Sequence, residues 1–224
     1  MKAQVQTGID RIGAYRTLLS NKRLGLITGA SGVGADLRSS VDILRAQYNV
    51  TALFAPEHGI RGELQPGQKV QTHVDRYSGL TAYSLFEDEM NASMGFDREA
   101  VFMPAKEALD QIDAMVFDLQ DVGSRYYTFA STLFFAMKAC ARAGKECIVL
   151  DRPNPIGGVA LEGNCHRPEN FSFIGLTPVP IRHGMTMGEM ARYYQGEHGI
   201  DCALHVIPMA GWRREMFFDE TGLP

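Results

Sequence analysis

Four segments of this sequence combine turn-forming residues with ionisable side chains. They are Phe54-Ala-Pro-Glu-His-Gly-Ile-Arg-Gly62, Phe117-Asp-Leu-Gln-Asp-Val-Gly-Ser-Arg-Tyr-Tyr127, Leu150-Asp-Arg-Pro-Asn-Pro-Ile-Gly-Gly158 and Pro180-Ile-Arg-His-Gly-Met-Thr186. Each sets glycines or prolines beside carboxylate, arginine, histidine or amide groups. One such segment is an ordinary capped turn. Four of them, at the ends of strand-like apolar runs, make a surface with no structural need for so many polar groups. In open α/β sheets, ligands sit outside the carboxyl ends of the strands. The four segments are therefore expected to converge on one crevice.

Arg61, Arg125, Arg152 and Arg182 would face that crevice, with His58 and His183. Such a pocket suits a ligand that carries a carboxylate or phosphate. The structural alternative is that about half of these arginines brace the loops by pairing with Asp118, Asp121 and Asp151. Asn154 adds an amide from the proline-rich loop. Glu57 differs from the other acids, because it leaves an apolar strand through Pro56 and precedes His58-Gly59. A carboxyl group there can be partly desolvated, which suits it to general acid catalysis. Glu162, shortly after the proline-rich loop, could bring a second carboxylate or be a simple turn residue. Two carboxylates in polar, sugar-sized surroundings are the equipment of glycoside hydrolysis. Tyr126, Tyr127 and Trp212 could stack on a sugar face, although each taken singly is more often a core residue.

Two rival chemistries have weaker signals. Thr28-Gly-Ala-Ser-Gly-Val-Gly34 follows a strand-like run, as a dinucleotide loop should, but does not match GxGxxG. No tyrosine is followed four residues later by lysine. The bland alternative is a glycine-rich turn, which could still hold a substrate oxyanion. A metal site would draw on His58, His73, His183 and nearby carboxylates, yet no HExxH or other local spacing links them. Asp118-Leu-Gln-Asp121 lacks the DxD spacing of a phosphatase pair. No cofactor and no metal are expected.

The elements that must position these groups alternate in type. Strands are expected at 23–28, 50–55, 80–86, 114–118, 146–150 and 203–207. Helices are expected at 39–48, 104–112 and 128–143, and from the Thr186-Met-Gly-Glu189 capping box to about Glu197. Continuous apolar strands between helices mean an α/β fold with a mostly parallel sheet, covered by helices on both faces. At 224 residues the chain has room for one large domain, or one domain and part of another. Residues 1–208 form the expected catalytic domain, and 209–224 start a region that breaks off. Trp212, Met216, Phe217 and Phe218 are then expected to form an exposed patch that drives self-association. The balance of 22 basic against 26 acidic residues, net −4, is no footprint of a nucleic-acid binder. No apolar run approaches the ~18 residues of a membrane span. The N-terminus has no apolar core of a signal peptide, so a cytoplasmic location is expected if that start is native, and a periplasmic or extracellular one if an export signal was removed. Cys140, Cys147, Cys165 and Cys202 form no CxxC pair and are expected as buried free thiols.

The same segments, with Glu162-Gly163, resemble the DUF1343 family, associated with exo-β-N-acetylmuramidases of the NamZ type. The resemblance runs in order over essentially the whole chain. It implies a Rossmann-like N-terminal domain, a cleft between it and a smaller C-terminal domain, and release of non-reducing-terminal N-acetylmuramic acid from a peptidoglycan-derived muropeptide or disaccharide. The lactyl carboxylate of that sugar agrees with an anion-binding pocket. Glu57 and Glu162 carry over as catalytic candidates. Relatives of this type continue beyond the segment Trp212 to Pro224, and many have an acid where this chain has Lys138. The other readings are a non-catalytic muropeptide-binding domain and a dinucleotide-dependent oxidoreductase.

Overall fold

A computed structural model of the chain describes residues 5–65, 70–85 and 102–224. Its strands are β1 (Leu24–Thr28), β2 (Val50–Ala55), β3 (His73–Val74), β4 (Thr81–Ser84), β5 (Ala114–Asp118), β6 (Glu146–Leu150) and β7 (Ala203–Ile207). They join in one seven-stranded sheet among the described residues, in the order β3-β4-β2-β1-β5-β6-β7. Every pairing is parallel except β3 with β4. All five residues of β1 and all five of β5 are buried. Successive strand side chains point to opposite faces, so both faces of the sheet are covered. This is the α/β, Rossmann-like architecture expected from the sequence.

The α-helices are α1 (Arg16–Leu19), α2 (Ser40–Arg45), α3 (Lys106–Leu109), α4 (Phe129–Ala143) and α5 (Met187–Glu197). Most strand expectations hold to within a residue or two. The strand expected at 80–86 is β4, and Phe86 lies outside the described residues. Helices α2 and α3 are shorter than their apolar spacing suggested. Helix α4 ends on Gly144, at φ 62°, where the glycine tolerates the left-handed turn that stops the helix. Helix α5 opens with the full capping box: Thr186 accepts from the Glu189 N–H, and the Glu189 side chain accepts from the Thr186 N–H. No helix among the described residues is long and apolar enough to cross a membrane.

The sheet grows outward from β1 in two directions. Strands β2 and β4 lie on one side of it, and β5, β6 and β7 on the other. The reversal falls between β1 and β5, the place in open α/β sheets where ligands sit; Thr28 Oγ1 donates to Asp118 O across it at 3.0 Å.

The expectation of an unpacked tail is corrected. Met216 and Thr221 are buried, and Trp212 and Phe218 half-buried; Phe217 alone of the four expected patch residues is exposed. The tail's backbone is tied to the proline-rich loop by Gly158 N to Arg214 O at 2.7 Å and Phe218 N to Pro155 O at 3.0 Å. It returns to the start of the described chain through Val5 N to Thr221 O at 3.0 Å and a bridge between Gln6 and Ala210. Of the cysteines, Cys140, Cys147 and Cys202 are buried free thiols, whereas Cys165 is exposed.

Candidate active site

The four polar segments do follow strands β2, β5 and β6 and precede helix α5, so they meet at the carboxyl end of the sheet. Glu57 follows β2. Its Oε2 accepts a hydrogen bond from the Thr128 hydroxyl at 2.9 Å. Strand β1 lies between β2 and β5, so this contact spans the carboxyl end of β1. Thr128 stands at the N-cap position of α4, but its side chain makes no cap bond; the hydroxyl goes to Glu57 instead. No lysine or arginine pairs with Glu57 among the described residues. The signal for Thr128 in the sequence is a hydroxyl residue at a helix start, a position that by itself indicates only a cap.

Around Glu57 lie His58 and Tyr127. The His58 ring is stacked 6.5 Å from that of Tyr127, and Tyr127 meets Phe129 edge-on at 4.7 Å. His58 Nδ1 lies 3.2 Å from Leu64 O, which fixes the ring from behind. Burial raises the Tyr127 phenol above its ordinary value, and the charges of Asp121 and Glu57 raise it further. Tyr127 is therefore the tyrosine beside the carboxylates, half-buried among them. Tyr126 is 54% exposed and lies under the Arg125 guanidinium, 5.5 Å away.

The arginines are more committed than the sequence suggested. Arg152 holds Asp118 with two hydrogen bonds, 2.6 Å and 2.8 Å, and both residues are buried. Ser40 also donates to Asp118, and Arg152 donates to Val33 O. This pair stitches the β5 and β6 loops to the glycine-rich loop and does not face outward. Arg61 pairs with Asp75 at 2.9 Å and lies over the Tyr77 ring. Arg182 pairs with Glu162 at 2.9 Å. Glu162 is mostly exposed, and a cation already holds its carboxylate. Three of the four arginines thus have a carboxylate partner, which among the described residues leaves Arg125 alone free of one. That guanidinium is buried, donates to Asn164 O and Val179 O, and leaves its Nε without a partner.

Asn154 is also structural: it donates to Met185 O and accepts from the Ile156 N–H. Asp151 pairs with no arginine side chain among the described residues. Its carboxylate accepts from the Gly188 N–H at the start of α5, from the Thr186 hydroxyl and from the Arg152 N–H. Burial pushes it up to about 6 despite those bonds. Asp121 is buried, accepts from the Gly123 N–H at 2.7 Å, and stands 3.7 Å from His183 Nε2. Gln120, which the sequence reading did not single out, donates to Asp121 O and Pro153 O. In the glycine-rich loop, the N–H groups of Gly32, Val33 and Gly34 donate to Gly29 O, Ser31 O and Arg38 O. These amides are turned inward. Among the described residues no group of three His, Cys, Asp or Glu is placed to hold a metal ion.

Residues 24–224 match the family described as exo-beta-N-acetylmuramidase NamZ, N-terminal. The chain belongs to this family. It is 44% identical over 226 residues to the peptidoglycan beta-N-acetylmuramidase NamZ of Bacillus subtilis (strain 168), covering 100% of this chain and 52% of that protein. Two crystal structures of DUF1343 family proteins from Bacteroides fragilis NCTC 9343 share the fold. One superposes with a TM-score of 0.85 at 39% identity, over 98% of this chain and 54% of that one. The other gives 0.79 at 30% identity, over 96% and 54%. The chain therefore spans about half the length of these NamZ and DUF1343 relatives. Lys138 lies well along α4, with its ammonium 5.3 Å from the Phe134 ring. That position is more than two helical turns from Thr128 and the crevice.

Proposed function

We propose that this chain is the acid/base-bearing half of a glycoside hydrolase that releases N-acetylmuramic acid from the non-reducing end of peptidoglycan fragments. The observation that carries the reading is the match to the Bacillus subtilis N-acetylmuramidase along the whole of this chain. The chemistry agrees with it: Glu57 stands at the carboxyl end of β2, is oriented by Thr128, and no guanidinium among the described residues holds its charge. Glu57 in its protonated form gives its proton to the leaving oxygen. As a carboxylate it then takes a proton from the water that attacks the anomeric carbon. The Tyr127 and Tyr126 rings supply the sugar-binding faces. Arg125, the one arginine of the four without a carboxylate partner, is assigned to the lactyl carboxylate.

The test is hydrolysis of a chromogenic N-acetylmuramide beside the matching N-acetylglucosaminide. A charge-assisted hydrogen bond to the lactyl group gives ~10–100-fold preference for the muramide. Equal rates on both sugars would sink the lactyl assignment. Glu57→Gln keeps the shape and removes the ionisable proton, so turnover is expected to fall by ~10²–10⁴ while N-acetylmuramic acid still binds. Near-normal turnover in that variant removes Glu57 from the mechanism. Binding of the sugar with no hydrolysis by the parent chain makes it a recognition domain.

A further inference from the structure

Two of the carboxylates at the carboxyl end of the sheet have no lysine or arginine partner and no helix start to serve among the described residues, and both hold side-chain or turn contacts near the centre of that end. One is Glu57. The other is Asp121, whose place suggests more than a turn. Its Oδ2 accepts from Gly123, but its Oδ1 is buried with no hydrogen-bond partner, as is Nε2 of His183 facing it. His183 Nδ1 accepts the Met185 N–H at 3.2 Å, so the proton of the neutral ring sits on Nε2, towards Asp121. The charge of Asp121 helps to raise the phenols of Tyr127, on the Glu57 side, and of Tyr194 of α5. Neither carries a positive charge. A carboxylate that served only to cap the Gly123 turn would need neither a buried free oxygen nor a histidine aimed at it. A buried polar atom left open calls for an explanation, and a catalytic role is one that fits a carboxylate facing a histidine.

Building on the muramidase reading, we propose that Asp121, held by Gly123 and His183, is a fixed negative charge under the crevice that stabilises the positive charge developing on the sugar ring. Glycoside cleavage passes through an oxocarbenium-like state, and an oriented charge in a water-poor site acts on it strongly. The balance of the step is simple. The bond from the anomeric carbon to the leaving oxygen breaks as Glu57 protonates that oxygen. The water oxygen bonds to the anomeric carbon, and the proton it sheds restores Glu57. Asp121 exchanges no proton in the step. His183 is a positioning residue for it.

The experiment compares the 224-residue chain with Asp121→Asn and with Asp121→Ser, a second neutral variant that keeps an acceptor for Gly123. Two ligands are titrated by calorimetry: N-acetylmuramic acid, which carries no positive charge, and a protonated iminosugar of the same shape, which does. Turnover of the chromogenic muramide is measured in parallel. Removing the charge is expected to weaken the cationic iminosugar by at least about tenfold, to leave N-acetylmuramic acid within about threefold, and to lower kcat by ~10²–10³ with KM little changed. Equal effects on the two ligands, or none, overturn the proposal while leaving the muramidase reading intact. A parent chain that neither binds nor cleaves the muramide overturns both.

Discussion

Arg61, Arg152 and Arg182 each meet a carboxylate, and the order of their burial ranks what those contacts do. Arg182 with Glu162 is a partly exposed pair, the kind worth ~0–1 kcal/mol. Arg152 with Asp118 is different, because both side chains are almost wholly out of water. Replacing one partner of such a pair strands the other charge. Arg152→Met is therefore expected to cost ~3–5 kcal/mol in urea unfolding, and adding Asp118→Leu to recover most of it. A double variant as unstable as the single one would mean that the pair is stabilising in itself. None of this pairing was legible in the sequence. Asp118 and Arg152 lie 34 positions apart, and the loop paths that join them are set by the sheet. The place of Glu57 at the carboxyl end of β2 was legible, because Pro-Glu-His-Gly follows an apolar run. Which of Tyr126 and Tyr127 turns inward was not, since it depends on the turn closed by Tyr127 N and Ser124 O.

At the scale of elements, strands β1, β2, β5 and β6 could be read almost to the residue because strands buried on both faces are written as unbroken apolar runs. Strand β3 could not, because it is two exposed residues with no pattern to carry. The junction of β6 with α5 makes a measurable claim. Asp151 there titrates at about 6 in the folded chain against an ordinary 3.8. Between those values the folded state binds the proton more tightly than the unfolded state does. The contribution of this group to stability is thus greatest below about pH 4 and falls as the pH rises to about 6, by ~3 kcal/mol. Asp151→Asn keeps an acceptor for Gly188 and can donate to Thr186. Its denaturant unfolding between pH 4 and 7 is expected to lack that decline. An identical slope in parent and variant assigns the pH dependence to other groups.

At the scale of the whole molecule, the tail closes the structure. Arg214 donates to Gly158 O and Gly184 O and pairs with Glu189 of α5. It thereby joins the tail to the proline-rich loop and the start of α5. Removing residues 212–224 is expected to lower the melting temperature by several degrees and to expose the underside of that loop to proteolysis. An unchanged melting curve would make the tail a passive appendage. The contact between Val5 and Thr221 has a consequence of another kind. It places residues more than two hundred positions apart in sequence side by side, so the folded chain is nearly a closed ring. Dyes attached at Gln6 and Gly222, the exposed neighbours of that contact, form an optical ruler for it. High energy transfer that drops before the sheet loses its circular dichroism would time the opening of the ring as a separate event from the melting of the core.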